Sequence, residues 1–382
     1  MLRTLAVEGY RSLRRLVAPL EAVTVVTGPN GSGKSSLYRA LRLLAASGRD
    51  GAVAALAREG GLSSTLWAGP EAGAKKGAPL QGTVRKGPVA LRLGFAGDGF
   101  GYAIDFGLPA PDATSMFGRD PEIKAESVWS GPVLRPGTLL SERRGGSVRL
   151  RSEGGWTPFE RTLPAWASML SEVGDPVLAP ELLSLRDELR GWRFYDHVRT
   201  DEGAPARAAV VGTRTPVLAA DGSDLAAALR TIAEQGGAAG LDAAVDRALP
   251  GSRIEIEDRG GRFALLLRQP GLLRPLEVEE LSDGTLRYLL WIAALLSERP
   301  AELLVLNEPE TSLHPSLLAP LAGLISDAAS RSQLIVVSHS EPRVAALSEG
   351  GALVHRLDKD GGETKLLGQG MLDEPAWHWP SR

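Results

Sequence analysis

The chain has 382 residues, 43% apolar and 23% charged, with a net charge of −3 and no cysteine. That length and balance support one large or two modest globular domains, and the missing thiols exclude a disulfide framework, a thiolate metal site and a cysteine nucleophile. No apolar run approaches the roughly 20 residues of a membrane span, the N-terminus MLRTLAVEGYRSLRRL lacks the features of a signal peptide, and any contact with nucleic acid is left to a local basic surface, so a cytoplasmic location without a membrane partner is expected.

In chain order, the first segment reads strand, strand, loop, helix: LRTLAVEGY, APLEAVTVVT, GPNGSGKSS and LYRALRLLAA. In the β-rich region that follows, VALRLGFAG and GFGYAIDFGL alternate apolar and polar residues around a Gly-Asp-Gly turn signal. IKAESVW reads as a further strand, and TLLSERRGGSVRLRS as a hairpin turning at Arg144–Gly146. From about residue 163 to 250 the pattern is helical, with apolar residues at three- and four-residue spacing in PELLSLRDELRGW and DLAAALRTIAEQ. Between those two, EGAPARAAVVGTRTPVLAADGS is polar and rich in Gly and Pro, and reads as loop. A hairpin, SRIEIEDRGGRFALLLRQ, leads into LEVEELSDGT, the helix TLRYLLWIAALLSE, the strand ELLVLNEPE, a helix from Pro315 and the strand SQLIVVSHS. The pattern shows no internal repeat and no heptad run long enough for a coiled-coil arm.

The segment Gly28-Pro29-Asn30-Gly31-Ser32-Gly33-Lys34-Ser35, followed by Ser36, fits G-x-x-x-x-G-K-[ST] between an apolar strand and a helix, which is the context this motif requires. Glycines let backbone N–H groups converge on phosphates, and the helix presents its positive end to them. Lys34 then reaches the β- and γ-phosphates of ATP, and the Ser35 hydroxyl suits Mg²⁺. A plain Gly/Ser turn before a helix is the competing reading. Strand, spacing, Lys and Ser together disfavour it.

Farther along, the apolar run Leu303–Leu306 ends in Asn307 and Glu308. Strand C-termini of an open parallel sheet face the ligand crevice, and Glu308 is the candidate to orient or deprotonate an attacking water. Upstream, Ser282 and Gly284 open a helix; alone, Ser282 is an ordinary N-cap. Downstream, the strand LIVV delivers Ser338 and His339; alone, His339 reads as structural. The order of the four motifs along one chain favours a joint role.

That order resembles the ABC-type ATPase superfamily. More narrowly, GYRSL, GPNGSGKSS, LSDGT and NEPETSLHP look like its RecF/SMC-like bacterial members with an AAA-type P-loop domain, over roughly residues 1–50 and 276–345. The resemblance implies an α/β fold: an ATPase head with a mainly parallel core sheet, an antiparallel β subdomain and an inserted helical subdomain, without a long coiled coil. The expected divisions are 1–130, 131–250 and 251–382. It also implies a homodimer around ATP, in which Ser282 and Gly284 of one subunit cap the γ-phosphate held by the other's loop. Glu308 matches the family's catalytic glutamate and His339 its switch histidine. Asn307 stands where the family has a metal-facing aspartate; it brings no charge, so ATP hydrolysis is expected to be slow. His314 replaces the aspartate of transporter-type subunits and fits the RecF-like form.

The family's Q-loop glutamine has no clear match: Gln81 comes too early, whereas Glu126 on IKAESVW is better placed. Glu126 is therefore a candidate metal-site carboxylate replacing the charge missing at Asn307, against the competing reading of an ordinary strand glutamate. The implied role is DNA repair, recombination or defence against foreign DNA such as phage, with double-stranded DNA held by Arg3, Arg11, Arg14 and Arg15 and by Arg135, Arg143, Arg144, Arg149 and Arg151. Glu142 and Glu153 interrupt the second group, so a solvated surface is the slightly favoured reading. The alternative role is a nucleotide-gated module that controls a partner nuclease or toxin without touching DNA.

Overall fold

A computed structural model describes residues 1–49, 51–70, 87–196, 198–370 and 373–382. Along the chain, β1 (Leu2–Tyr10), β2 (Leu13–Pro19) and β3 (Val23–Thr27) precede α1 (Lys34–Ser47), α2 (Ala52–Arg58) and α3 (Gly61–Thr65). Next come β4 (Leu91–Gly97), β5 (Phe100–Gly107), β6 (Glu122–Ser130), β7 (Leu139–Arg144), β8 (Ser147–Ser152) and β9 (Gly155–Pro158), then α4 (Met169–Glu172) and α5 (Pro180–Gly191). After β10 (Arg193–Tyr195), β11 (Val210–Val211), α6 (Leu225–Ile232) and α7 (Ala238–Ala248) lie β12 (Arg253–Asp258), β13 (Arg262–Arg268) and β14 (Leu276–Glu277). The last third holds α8 (Asp283–Leu295), β15 (Leu303–Asn307), α9 (Leu318–Ala328), β16 (Gln333–Val337), α10 (Glu341–Glu349), β17 (Leu353–Asp360) and β18 (Glu363–Leu366).

Two compact units divide these elements. The first contains Met1–Glu21, Val26–Trp192 and His355–Arg382; the second contains Ala22–Val25 and Arg193–Val354. The first is built on an antiparallel sheet in the order β2-β1-β4-β5-β6-β7-β8-β9. The Gly-Asp-Gly turn joins β4 to β5, and the hairpin at Arg144–Gly146 joins β7 to β8, as their turn residues predict. The alternation expected in β4 and β5 is largely absent, because both strands are buried almost throughout. The residues that read as polar there are mostly small, and they make room for tryptophans: a Cβ on Gly101 would lie 2.0 Å from the Trp129 ring. Trp129 meets Trp377 at 5.6 Å, and Trp377 meets Trp379 at 5.2 Å, so the C-terminal segment covers this face. Arg382 anchors the end through a 2.7 Å bond to buried Asp105. In the same unit the end of β3 is followed in sheet order by β17 and β18.

The second unit holds the parallel ladder β10-β15-β16, with the start of β3 beside β16. Its continuous apolar strands are what a sheet covered on both faces requires. Helices α6, α7, α8 and α9 share one apolar core with these strands, including Trp291, Tyr288, Leu289 and Ile325. A small sheet, β11-β13-β12 with β14 on β13, completes the unit. The expected divisions after 130 and 250 differ from the observed ones near 192 and 354. The hairpin β7–β8 hydrogen-bonds to β6 and extends its sheet, while α6, α7 and β13 contribute to the same core as α8; burial joins what composition separated. Among the described residues, no helix is long and apolar enough to cross a membrane.

Candidate nucleotide site

In the first unit, β3 runs directly into the loop Gly28–Gly33 and then into α1. Gly28, Gly31 and Gly33 have φ of 147°, 79° and 108°, in the half of φ space that side chains rarely tolerate. Space matters as much as dihedral freedom. A Cβ on Gly28 would lie 2.2 Å from the carbonyl oxygen of Leu357 in β17, and one on Gly33 2.0 Å from the Thr364 hydroxyl in β18. Thr364 donates its hydroxyl to the Ser32 carbonyl at 2.7 Å, and that oxygen lies 2.8 Å from the Ser12 hydroxyl, from which it can accept, while its amide donates to the Ser12 carbonyl at 2.8 Å. Ser12 in turn lies 3.4 Å from the Ser36 hydroxyl. The loop is thus held from behind by the β1–β2 turn and by the C-terminal hairpin.

On the ligand-facing side, Gly33 caps α1 without a side-chain hydrogen bond, and the first turn has no acidic residue. A helix N-terminus whose first turn carries no acidic side chain suits an anion. Ser35 is exposed, and the buried Ser32 hydroxyl has no hydrogen-bond partner among the described residues. Lys34 is buried and donates to the Gly28 carbonyl at 2.6 Å and the Pro29 carbonyl at 2.8 Å, so its ammonium sits across the cradle it helps to form. Pro29 and Asn30 are exposed at the loop tip.

In the second unit, β15 and β16 deliver Asn307 and Val337 in register. Beyond them, Glu308 adopts φ 47° and donates its amide to the Val337 carbonyl at 2.8 Å. A non-glycine residue there costs of order 1 kcal/mol, and such strain collects at functional sites. His339 Nε2 lies 2.8 Å from Glu308 Oε1, and both side chains are partly exposed. The expected catalytic pair is therefore brought together from two strands.

The signature segment belongs to the same unit. Ser282 caps α8 by accepting the Thr285 amide at 3.2 Å and is exposed. Gly284 is required by close approach, since a Cβ would lie 2.9 Å from the carbonyl of Ser312, itself at φ 63°. His314 caps the turn that follows, accepting the Ser316 amide at 3.3 Å. Buried Arg207 donates to the carbonyls of Val278, Glu279 and Leu281 at 2.9–3.2 Å and to Asp283 Oδ1 at 2.9 Å. One guanidinium so fixes the whole approach to Ser282, and no local pattern marked it.

Glu126 departs from its expected metal role. Its side chain and that of Arg143 have no exposed surface and form an ion pair at 3.1 Å. Oε1 accepts from the Tyr102 and Ser168 hydroxyls at 2.7 and 2.5 Å, and Oε2 also accepts the Met169 amide at 2.8 Å. A carboxylate whose oxygens are both taken by protein donors has a structural task. Burial, with Glu126 beside it, holds the Tyr102 phenol protonated well above its ordinary range. Among the described residues no cluster of three or more His, Asp or Glu is placed to hold a metal. A cation that arrives with a triphosphate needs only one or two protein ligands; the exposed Ser35 hydroxyl of the first unit is a ligand of that kind, and Asn307 ends β15 in the second unit. Gln81 lies outside the described residues.

Most arginines of the basic stretches are paired with carboxylates. Arg3, Arg11 and Arg14 pair with Asp98, Glu59 and Glu363 at 2.8, 2.7 and 3.0 Å, and Arg15 pairs with Glu374. Arg144 and Arg149 share Glu142, and Arg143 is interior. Arg149 and Arg151 stack on Trp156 at 4.9 and 5.8 Å, whereas Arg135 only frames a turn.

A family model described as "AAA domain, putative AbiEii toxin, Type IV TA system" matches residues 23–346. No curated protein matches the sequence. Among solved structures, an SMC head bound to the C-winged helix domain of ScpA is similar at 15% identity and TM-score 0.49, covering 97% of this chain and 98% of that one. The SMC head domain from Thermotoga maritima is similar at 15% identity and TM-score 0.47, covering 97% of this chain and 99% of that one.

Proposed function

This chain belongs to the AAA-domain family whose model spans most of its length, and from that premise we propose that it binds ATP with Mg²⁺ and hydrolyses it slowly as a homodimer. Gly28–Ser36 cradle the phosphates, Lys34 swings from the loop carbonyls to the β- and γ-phosphates, and the Ser35 hydroxyl would hold the cation, which would neutralise phosphate charge; Asn307 is a second candidate ligand. Glu308 takes a proton from the attacking water as its oxygen bonds to the γ-phosphorus; the bond to the bridging oxygen breaks and ADP leaves. His339 donates to a γ-phosphate oxygen. Ser282 and Gly284 of the second subunit close the site, as a hydroxyl at a helix N-terminus is suited to do. The observation that carries the reading is the Glu308–His339 pair at 2.8 Å, beyond the ends of two adjacent parallel strands.

The test is Glu308→Gln with ATP and Mg²⁺, followed by light scattering after size exclusion. Hydrolysis is expected to stop while a dimer accumulates; a monomer at every nucleotide concentration overturns the proposal.

Two cellular roles follow from such a dimer: action on double-stranded DNA in repair, recombination or defence, and gating of a partner nuclease or toxin. The pairing of Arg3, Arg11, Arg14, Arg15, Arg144 and Arg149 with carboxylates favours gating, as does a family description that names a toxin system. Mobility-shift titrations across salt separate the roles, since phosphate contacts impose a steep salt dependence. A cytoplasmic setting suits either.

A further inference from the structure

We infer that Glu310 is the positioning residue that holds His339 against Glu308, an inference that rests on the proposed ATPase reading. β16 ends at Val337 and α10 begins at Glu341, leaving Ser338, His339 and Ser340 to make the turn between them. Backbone amides in such a turn have no ladder partner and need an acceptor from elsewhere. Glu310 supplies it. Its Oε1 accepts the Ser338 hydroxyl at 2.6 Å, the His339 amide at 3.0 Å and the Ser340 amide at 3.2 Å. Its Oε2 accepts from the Arg343 guanidinium, in the first turn of α10. One carboxylate thereby grips the histidine's own amide, its two neighbours and the helix that follows.

The grip is anchored on the other side as well. The Trp291 indole donates to the Pro309 carbonyl at 2.8 Å, and the Leu313 amide donates to the Glu310 carbonyl at 2.9 Å. Glu310 follows Glu308 by two residues, so the catalytic candidate and the residue that orients its partner lie on one short, pinned segment. Ser338 and Arg343 are fully buried, and Nε and Nη2 of Arg343 have no hydrogen-bond partner among the described residues. Unsatisfied buried donors are costly, and each calls for an explanation beyond stability. Among the described residues Arg343 forms an ion pair with Glu310 alone, which fits a strut that keeps the carboxylate aimed at the turn. Charge-assisted hydrogen bonds of this kind are about twice as strong as neutral ones.

The experiment combines kinetics with a readout independent of turnover. Glu310→Ala is expected to lower kcat by about a hundredfold, as a misplacement near 1 Å does, with KM for ATP changed less than about threefold. Glu310→Gln keeps an oxygen for the amides and is expected to retain most activity. In parallel, the ring resonances of His339, assigned through His339→Gln, are followed by ¹⁵N-histidine NMR without nucleotide. Glu308→Gln should shift them in the otherwise native protein and leave them unmoved when Glu310→Ala is also present. If the Ala variant does not fold, Ser338→Ala combined with Glu310→Gln is expected to halve the response. Native kcat in Glu310→Ala, or a full native NMR response in either background, overturns the inference. Should the native protein hydrolyse no ATP, the ATPase reading falls while the NMR comparison still decides what Glu310 does.

Discussion

Replacing Glu126 by glutamine removes one charge from an ion pair in which neither side chain has exposed surface. The amide has a single acceptor oxygen for four donors. Its NH₂ is best placed toward the Tyr102 and Ser168 hydroxyls, which can rotate to accept, leaving its oxygen for Arg143 and the Met169 amide. Most hydrogen bonds survive, and the loss is that of a carboxylate opposite a buried guanidinium. Breaking such a pair costs about 3–5 kcal/mol, and retained hydrogen bonds place the value near the lower end. For a unit of 150–250 residues each kcal/mol lowers Tm by about 2–4 °C, which gives a fall of roughly 6–12 °C. Thermal unfolding measures it, alongside the Mg²⁺ concentration at half-maximal ATPase activity, which should not move. A Tm within about 2 °C of native, together with a shifted Mg²⁺ dependence, would refute the structural role and restore the metal one.

Gly33→Ala is expected to cost about 1–2 kcal/mol for its left-handed backbone and about 1–3 kcal/mol more for crowding by Thr364. Urea denaturation should show part of that loss recovered when Thr364→Ala is added, and no recovery would mean that the hairpin does not press on the loop. His355 is mostly buried, and its ring shares a 2.7 Å hydrogen bond with the Pro19 carbonyl. Burial lowers its pKa below the ordinary 6.5, with the Pro19 bond opposing. The unfolded chain therefore takes up the proton first, so this contribution is complete above pH 6.5 and is lost as pH falls from there toward the folded pKa. The urea midpoint should drop between about pH 7.5 and 5, and His355→Gln should flatten part of that drop; an unchanged slope would assign the acid sensitivity elsewhere.

Local chemistry alone determined the phosphate loop, the Ser282 cap, the hairpin turns and the order of strands and helices around them. Each depends on residues within a few positions of one another, where glycine spacing, capping side chains and apolar period act directly. Tertiary structure decided the rest, because the deciding partners are distant in sequence. Ser12 meets Thr364 across 352 positions and Arg207 meets Asp283 across 76. Glu126 read as an ordinary exposed strand residue first and as a metal ligand second, until its neighbours on β5, β7 and the Ser168 turn surrounded it. Glu310 lay in plain view within NEPET, yet its task depends on where a strand some thirty residues later lets the chain turn. Period and propensity say which face is buried, but only packing says which buried polar group answers which.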